Sequence, residues 1–202
     1  MTLPPPVNLG EPLPSPIPSA EMLARLATRR SAPAQALGTP GPDAARIVDI
    51  LTLAARSPDH GKLFPWRFVV MGQISRAEIA ERLAVIAVAK SLPPKATAVL
   101  AKLTAAPTTV LVISTAAPAS KPVWEQELSA GAVCMNLEHA ASAFGFASSW
   151  ITDWYSYDVD ALPLFGVREG EKVAGFIHLG TAVEPLLERD RPDITRLTTT
   201  LP

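Results

Sequence analysis

Apolar residues recur along this chain at two different periods, and the switches between them outline its helices and strands. Between Ser19 and Arg30, Met22, Leu23 and Leu26 share one helical face, with Ser19 placed as the N-cap. After Gly41-Pro42-Asp43, Ile47, Ile50, Leu51 and Ala54 recur at helical spacing until Ser57-Pro58 ends the helix. Residues 66–71, rich in aromatic and β-branched side chains, read as a strand. Ser75 and Glu78 form a capping-box pattern ahead of a helix carrying Ile79, Leu83 and Ile86. Pro93-Pro94 precedes another short helix, and the apolar run 108–115 predicts a buried central strand. Residues 122–144 form the longest helical segment, apolar on nearly every side, with Gly145 where a C-cap glycine belongs. Residues 147–151 and 173–182 read as the remaining strands, and a weaker helix is predicted over 159–165. Helices and strands mix without a clean βαβ alternation, which predicts an α+β fold with one sheet covered by helices.

Composition adds boundaries to this map. A length of 202 residues predicts one domain, or one domain and an appendage, with room for a sizeable core. Of the 21 prolines, seven (Pro4, Pro5, Pro6, Pro12, Pro14, Pro16 and Pro18) fall in the first twenty residues. Residues 1–18 therefore read as an extended arm, and 19–202 as the folded domain. The arm has no Lys or Arg and no continuous apolar run, so it does not read as a secretory signal. Leu3, Val7, Leu9, Leu13 and Ile17 suit it to lie along a partner subunit. An all-round apolar helix together with a second mostly apolar surface predicts a large subunit interface, hence a homodimer. Nowhere does the sequence supply the ~18 continuous apolar residues of a membrane span. The expectation is a soluble, cytoplasmic protein with no membrane role. A net charge of −1 removes the footprint of a general nucleic-acid binder. One cysteine, Cys134, excludes a disulfide within the chain and a cysteine-only metal cluster.

Few residues look able to do chemistry unaided. There is no P-loop, GxGxxG, HExxH or GxSxG. His60, His139 and His178 are scattered without metal-ligand spacing, so no metal site is expected; His139, His178 and Cys134 read as structural. An enzyme of this sequence would leave the hard step to a cofactor, with no side chain as catalytic group. Four polar segments remain. Arg29-Arg30-Ser31 suits a phosphate, although basic residues at a helix end also merely complement its dipole. Residues 56–68 form a stiff, polar, proline-bracketed loop, which is either a binding loop or an ordinary turn. Glu125 and Glu127 open the long helix, where the dipole alone would account for them. Ser148, Ser149, Trp150, Ile151, Thr152 and Asp153 would suit a planar ring, or equally core packing.

Taken jointly, in this order and spacing, the segments resemble the FMN-dependent nitroreductase family, and within it the small YdjA-like branch. The matching motifs are RRS at 29–31, ARSPDHGKLFPWRF at 55–68, WEQELSAG at 124–131, GFASSW at 145–150 and GFIHLGT at 175–181. The resemblance leaves only the arm outside. It implies a central, mostly antiparallel sheet flanked by helices, and an intertwined homodimer with FMN at the subunit interface. It further implies that Arg29, Arg30 and Ser31 hold the phosphate and ribityl chain, with Arg191 as a C-terminal basic residue on the phosphate. Arg56 and His60 would reach the flavin bound mainly by the other subunit, and Trp150, Ile151 and Thr152 would line its ring. Two positions depart from the branch: Ala32-Pro33-Ala34-Gln35 lacks a further arginine, and Ile151 stands where arginine is common.

The activity implied is NADH- or NADPH-dependent reduction of nitroaromatics, quinones or other flat acceptors by a two-step hydride exchange. Two other readings stay open: a flavin carrier or sensor without turnover, motivated by Ile151, and specialised flavin chemistry such as dehalogenation or oxygen-dependent ring cleavage.

Overall fold

Two helices start where their capping side chains place them. Ser19 Oγ accepts the Met22 N–H at 3.2 Å and opens α1 (Ala20–Thr28). Asp43 accepts the Arg46 N–H at 2.7 Å and opens α2 (Ala44–Ala54). The computed structural model describes residues 2–201; Met1 of the predicted arm and Pro202 of the predicted domain lie outside the described residues. The next helix, α3 (Gln73–Ala89), corrects the capping-box expectation. Its strand-to-helix turn is made by Gly72, so Ser75 falls inside the first turn and donates its hydroxyl to the Gly72 carbonyl at 3.2 Å. Where the preceding strand ends, rather than the hydroxyl, sets this start.

The five strands are β1 (Leu37–Gly38), β2 (Trp66–Met71), β3 (Thr108–Ser114), β4 (Ala147–Ile151) and β5 (Lys172–Ala182). All pairings are antiparallel: β2 with β3, β3 with β5, β4 with β5, and β1 with the end of β5. The apolar run of β3 is explained by burial on both faces. Val110 and Val112 pack with Ile47 and Ile50 of α2 and with Val133 and Leu137 of α6 (Val123–Ala143). Leu111 and Ile113 point the other way, to Leu83 of α3, Tyr155, Phe176 and Leu103 of α5 (Leu100–Ala105), which follows the short α4 (Lys95–Ala98). The architecture is the expected α+β, a sheet flanked by helices.

The long helix ends as its glycine predicts. Gly145, at φ 86°, lets the Phe146 N–H return to the Ala141 carbonyl at 3.0 Å and its own N–H to Ser142 at 2.9 Å, a Schellman closure. The weaker helix expected over 159–165 shrinks to one 3-10 turn, Leu162–Phe165. Asp158 Oδ1 accepts the N–H groups of Asp160 and Ala161, and Pro163 has none to give, so a full helix does not start. A short α7 (Ile194–Leu197), capped by Asp193, was not anticipated. No helix among the described residues is long and apolar enough to cross a membrane.

A buried arginine ties the second layer together. Arg76, fully buried on α3, donates to the carbonyls of Leu103 (2.7 Å), Ala106 (2.5 Å), Pro107 (3.0 Å) and Gly72 (3.1 Å). Several are carbonyls that the end of α5 leaves without helical partners. Burial lowers the Arg76 pKa. Nearby, Thr109 and the fully buried His178 face each other across β3 and β5, with 2.8 Å between Oγ1 and Nδ1. Burial, and secondarily the Arg76 charge, push His178 down to about 3.

The unfolded chain therefore binds a proton near the ordinary histidine pKa of about 6.5 that the folded chain refuses. Stability from this residue is fully present above that pH. It is lost as pH falls toward the folded value, at up to about 1.4 kcal/mol per pH unit. Urea unfolding of wild type and His178→Leu between neutral and acid pH checks this. The variant is expected to lose that part of the slope, and an identical slope would refute the assignment.

Candidate functional site

The turn after α1 is held against the sheet by its backbone. The Ala32 N–H donates to the Ser148 carbonyl at 2.9 Å, on β4, so the residues just before it lie beside that strand. Arg29 Nη1 donates to Ser31 Oγ at 3.3 Å, and Arg30 donates to the Ser31 carbonyl at 2.9 Å and the Leu187 carbonyl at 3.1 Å. Neither guanidinium is hydrogen-bonded to the final carbonyls of α1. Arg191 comes back from the C-terminal tail. Its Nη2 donates to the Arg29 carbonyl at 2.9 Å and pairs with Glu188 at 2.7 Å. The Arg189 N–H, with help from Arg191, holds the Glu188 carboxyl below its usual range.

Arg25 ties α1 to the end of α6 by bonding the Ser142 carbonyl and hydroxyl. Between these elements opens a cavity of ≈ 340 Å³ lined by Arg25, Arg29, Arg30, Glu138, Ser148 and Leu186, among others. Among the described residues Arg29 and Arg30 pair with no carboxylate. Two guanidiniums without a salt-bridge partner at a cavity suit an anion with several acceptor oxygens. Glu138, buried in the cavity wall, accepts from Ser148 Oγ at 3.0 Å. A second cavity of ≈ 260 Å³ between α1 and α6 shares Arg25 and Arg29 and includes His139.

Farther along β4, Trp150 packs toward α2 and α6 and donates Nε1–H to the Ala174 carbonyl at 3.1 Å. Its indole lies over Gly175, where a Cβ would come within 2.0 Å of Nε1, so a side chain there would displace the ring. Ile151 ends the strand, half-buried; Thr152 follows, exposed, and its hydroxyl accepts from Tyr157 at 3.1 Å.

The loop of residues 56–65 is anchored along α6, from Asn136 back to Glu125. Asn136 donates to Ser57 Oγ at 3.0 Å, and Ser129 Oγ donates to the Pro58 carbonyl at 2.7 Å while accepting from Trp66 Nε1 at 3.2 Å. Asp59 Oδ2 accepts the Phe64 N–H at 2.7 Å. Gly61, Lys62 and Phe64 all have positive φ (89°, 55° and 49°), and the two non-glycine residues are strained there. His60 Nδ1 meets Glu125 Oε2 at 2.5 Å, and Arg56 is exposed. Glu125 is thus no simple dipole charge, and Glu127 pairs with Lys172 at 2.6 Å.

The structure therefore gathers Arg29, Arg30, Ser31 and Arg191 in one corner, with Trp150, Ile151 and Thr152 along and just beyond β4. It does not bring Arg56 and His60 to that corner. Glu125, which meets His60, and Ser142, which holds Arg25 beside the cavity, stand about 25 Å apart along the helix axis at 1.5 Å rise per residue. Sequence reasoning missed Ser129, Asn136 and Glu138. The available signal was a row of polar residues at helical spacing, Glu125, Ser129 and Asn136, on an otherwise apolar helix.

Cys134 is fully buried, and burial, reinforced by the Glu138 charge, pushes its thiol up to about 12. It is expected to resist an aromatic disulfide reagent in the native protein and react stoichiometrically only after denaturation. Rapid native labelling, followed by absorbance, would contradict this burial.

The Nitroreductase family model matches residues 26–181, which spans the arginine turn and the five strands except the last residue of β5, but neither the arm nor Arg191. A Haemophilus influenzae protein with a provisional NAD(P)H nitroreductase name is 34% identical over 167 residues, 81% of this chain and 90% of that protein. The similarly named YdjA of Escherichia coli K12 is 34% identical over 166 residues, 80% of this chain and 88% of its own. Among solved structures, a nitroreductase-like protein from Bacillus cereus superposes with a TM-score of 0.76 at 17% identity, covering 93% of this chain and 99% of that one. A Bacteroides fragilis nitroreductase crystallised with bound FMN gives 0.71 at 25% identity, covering 90% and 100%. The chain belongs to the nitroreductase family.

Proposed function

We propose that the protein is a cytoplasmic, FMN-dependent NAD(P)H oxidoreductase acting on nitroaromatics, quinones and similar flat electron acceptors. The observation that carries this reading is the cavity faced by Arg29 and Arg30 without carboxylate partners. Such a donor set fits the phosphate of FMN, and Ser31 and Ser148 add hydroxyls beside it for a phosphate or a polyol chain. Arg191, tied to the Arg29 carbonyl and paired with Glu188, would serve as a third cation on the same phosphate. Trp150, Ile151 and Thr152 offer an apolar strand end and a hydroxyl for the ring. When bound, FMN would supply the chemistry, accepting a hydride from NADH or NADPH and passing the electrons to the acceptor. The chain itself binds, orients and excludes water, with no side-chain nucleophile.

The active form in this reading is a homodimer with FMN at the interface. Met22, Leu23 and Leu26 on α1, Val48 on α2, and Trp124 and Leu128 on α6 are large apolar side chains left exposed in one copy. A second copy would cover them and would bring its own Arg56 and His60 to the arginine corner. The arm, ending at Pro18 ahead of the domain 19–202, exposes Val7, Leu9, Leu13 and Ile17 and would lie along that copy.

Purified protein titrated with FMN is expected to develop a visible flavin band that NADH or NADPH bleaches anaerobically and a quinone or nitro compound restores. Protein that stays colourless with added FMN would defeat the reading; bleaching without recovery would favour a carrier. Arg29→Ala is expected to weaken FMN binding by roughly 1.5–3 kcal/mol, the worth of a charge-assisted hydrogen bond. Unchanged affinity would remove the arginine turn from the site. In mixed dimers, His60→Ala on one subunit is expected to impair the opposite site, and loss confined to the same subunit would refute the cross-subunit assignment.

A further inference from the structure

The imidazole of His60 is gripped on one side only. Its Nδ1 meets Glu125 Oε2 at 2.5 Å, whereas Nε2 has no protein partner among the described residues and the side chain is exposed. The backbone beneath it is fixed by Ser129 on the Pro58 carbonyl, by Asp59 on the Phe64 N–H, and by the positive φ of Gly61, Lys62 and Phe64. A Cβ on Gly61 would lie 3.1 Å from the Lys121 side chain, so the loop is also hemmed in by the approach to α6. Strained backbone of this kind persists only where its surroundings determine it. With the loop held, the freedoms left to His60 are the rotation of its ring and the choice of which nitrogen carries the proton. Both are set by what Nδ1 touches.

We propose that Glu125 is a positioning residue for His60. The carboxylate takes the Nδ1–H of the neutral imidazole, fixes the ring plane, and leaves Nε2 as an acceptor facing outward for an N–H or O–H donor of the ligand. The other charged side chains of this region, Arg56, Asp59, Lys62 and Lys121, make no hydrogen bond to the ring, so the carboxylate of Glu125 alone selects the tautomer. A ligand with a hydrogen-bond donor on its edge is thereby favoured over one presenting an acceptor, because the acceptor would meet a lone pair. This inference rests on the reading of His60 as a residue that faces flavin.

The test has two arms. Nitrogen-15 NMR of histidine in the flavin-free protein, at a pH where the ring is neutral, reads the tautomer directly. The wild type and Glu125→Gln are expected to carry the proton on Nδ1, since the Gln amide oxygen still accepts it. In Glu125→Ala the population shifts toward the other nitrogen. A wild-type ring protonated on Nε2, or one unmoved by Glu125→Ala, overturns the proposal.

In the second arm, flavin fluorescence reads FMN affinity. Glu125→Ala is expected to lose on the order of tenfold, the equivalent of one hydrogen bond, with affinity restored in Glu125→Gln. Adding Glu125→Ala to His60→Ala should deepen the loss little, because the two act as one unit. Losses that simply multiply would overturn the coupling. If the tautomer shifts as expected but His60→Ala alters neither FMN affinity nor turnover, the flavin reading of His60 fails. Glu125's role at the site fails with it, and only the pairing of the two side chains is left.

Discussion

The packing of α6 against the sheet, through Val133, Cys134, Leu137 and Ala141, is the contact from which both halves of the candidate site are hung. Those side chains meet Val110 and Val112 of β3 and Ile177 and Leu179 of β5 with almost no solvent exposure. Apolar burial on this scale stabilises the helix far more than its own propensity would, and it fixes the position of both ends. At the N-terminal end Gln126 fastens the incoming chain, donating to the Ala117 and Lys121 carbonyls and accepting the Ala117 N–H. At the other end the Gly145 closure aims the chain straight into β4. The arginine corner belongs to the second end and the His60 loop to the first.

That arrangement explains why the two most specific sequence motifs belong together. Residues 58–66 and 124–131 are far apart in sequence, yet Glu125 and Ser129 contact His60, Pro58 and Trp66 directly. Each motif satisfies polar groups the other leaves open. Ser129 holds the loop at the Pro58 carbonyl, and among the described residues the side chains of Glu125 and Ser129 have no other hydrogen-bond partner than this loop and Trp66.

Elements governed by local rules were legible in advance. The Ser19 and Asp43 caps, the glycine end of α6 and the doubly buried β3 each depend on residues within one turn or on a simple period. The arginine turn was legible as a motif but not as geometry, since its dipole reading was equally consistent with sequence. What escaped depends on long-range partners. Arg76, which the sequence pattern did not single out, is buried because the end of α5 offers it three carbonyls in the sequence 103–107. Glu125 was assigned to the helix dipole because its partner lies 65 residues away. The capping box at Ser75 failed because the strand ended next to Gly72 and the turn was already made. Glu138 carried no signal: an acid in an apolar helix has meaning only once Ser148 is known to face it.

Two departures from local comfort stand at opposite ends of the same helix. At one, Arg29 and Arg30 face a cavity without a salt-bridged carboxylate, although Glu138 shares its wall; at the other, non-glycine residues sit in left-handed backbone. Neither improves the fold of a single copy, and such departures concentrate where a protein binds or reacts. Within one chain, Glu125 and Ser142 keep the His60 ring and the Arg25 side of the cavity at opposite ends of α6. A ligand that touched both would call for two chains, and in that sense the cavity, the strained loop and the exposed apolar faces of α1, α2 and α6 fit the proposed homodimer. In the proposed homodimer the length of α6 would set how far one copy reaches toward the site of the other.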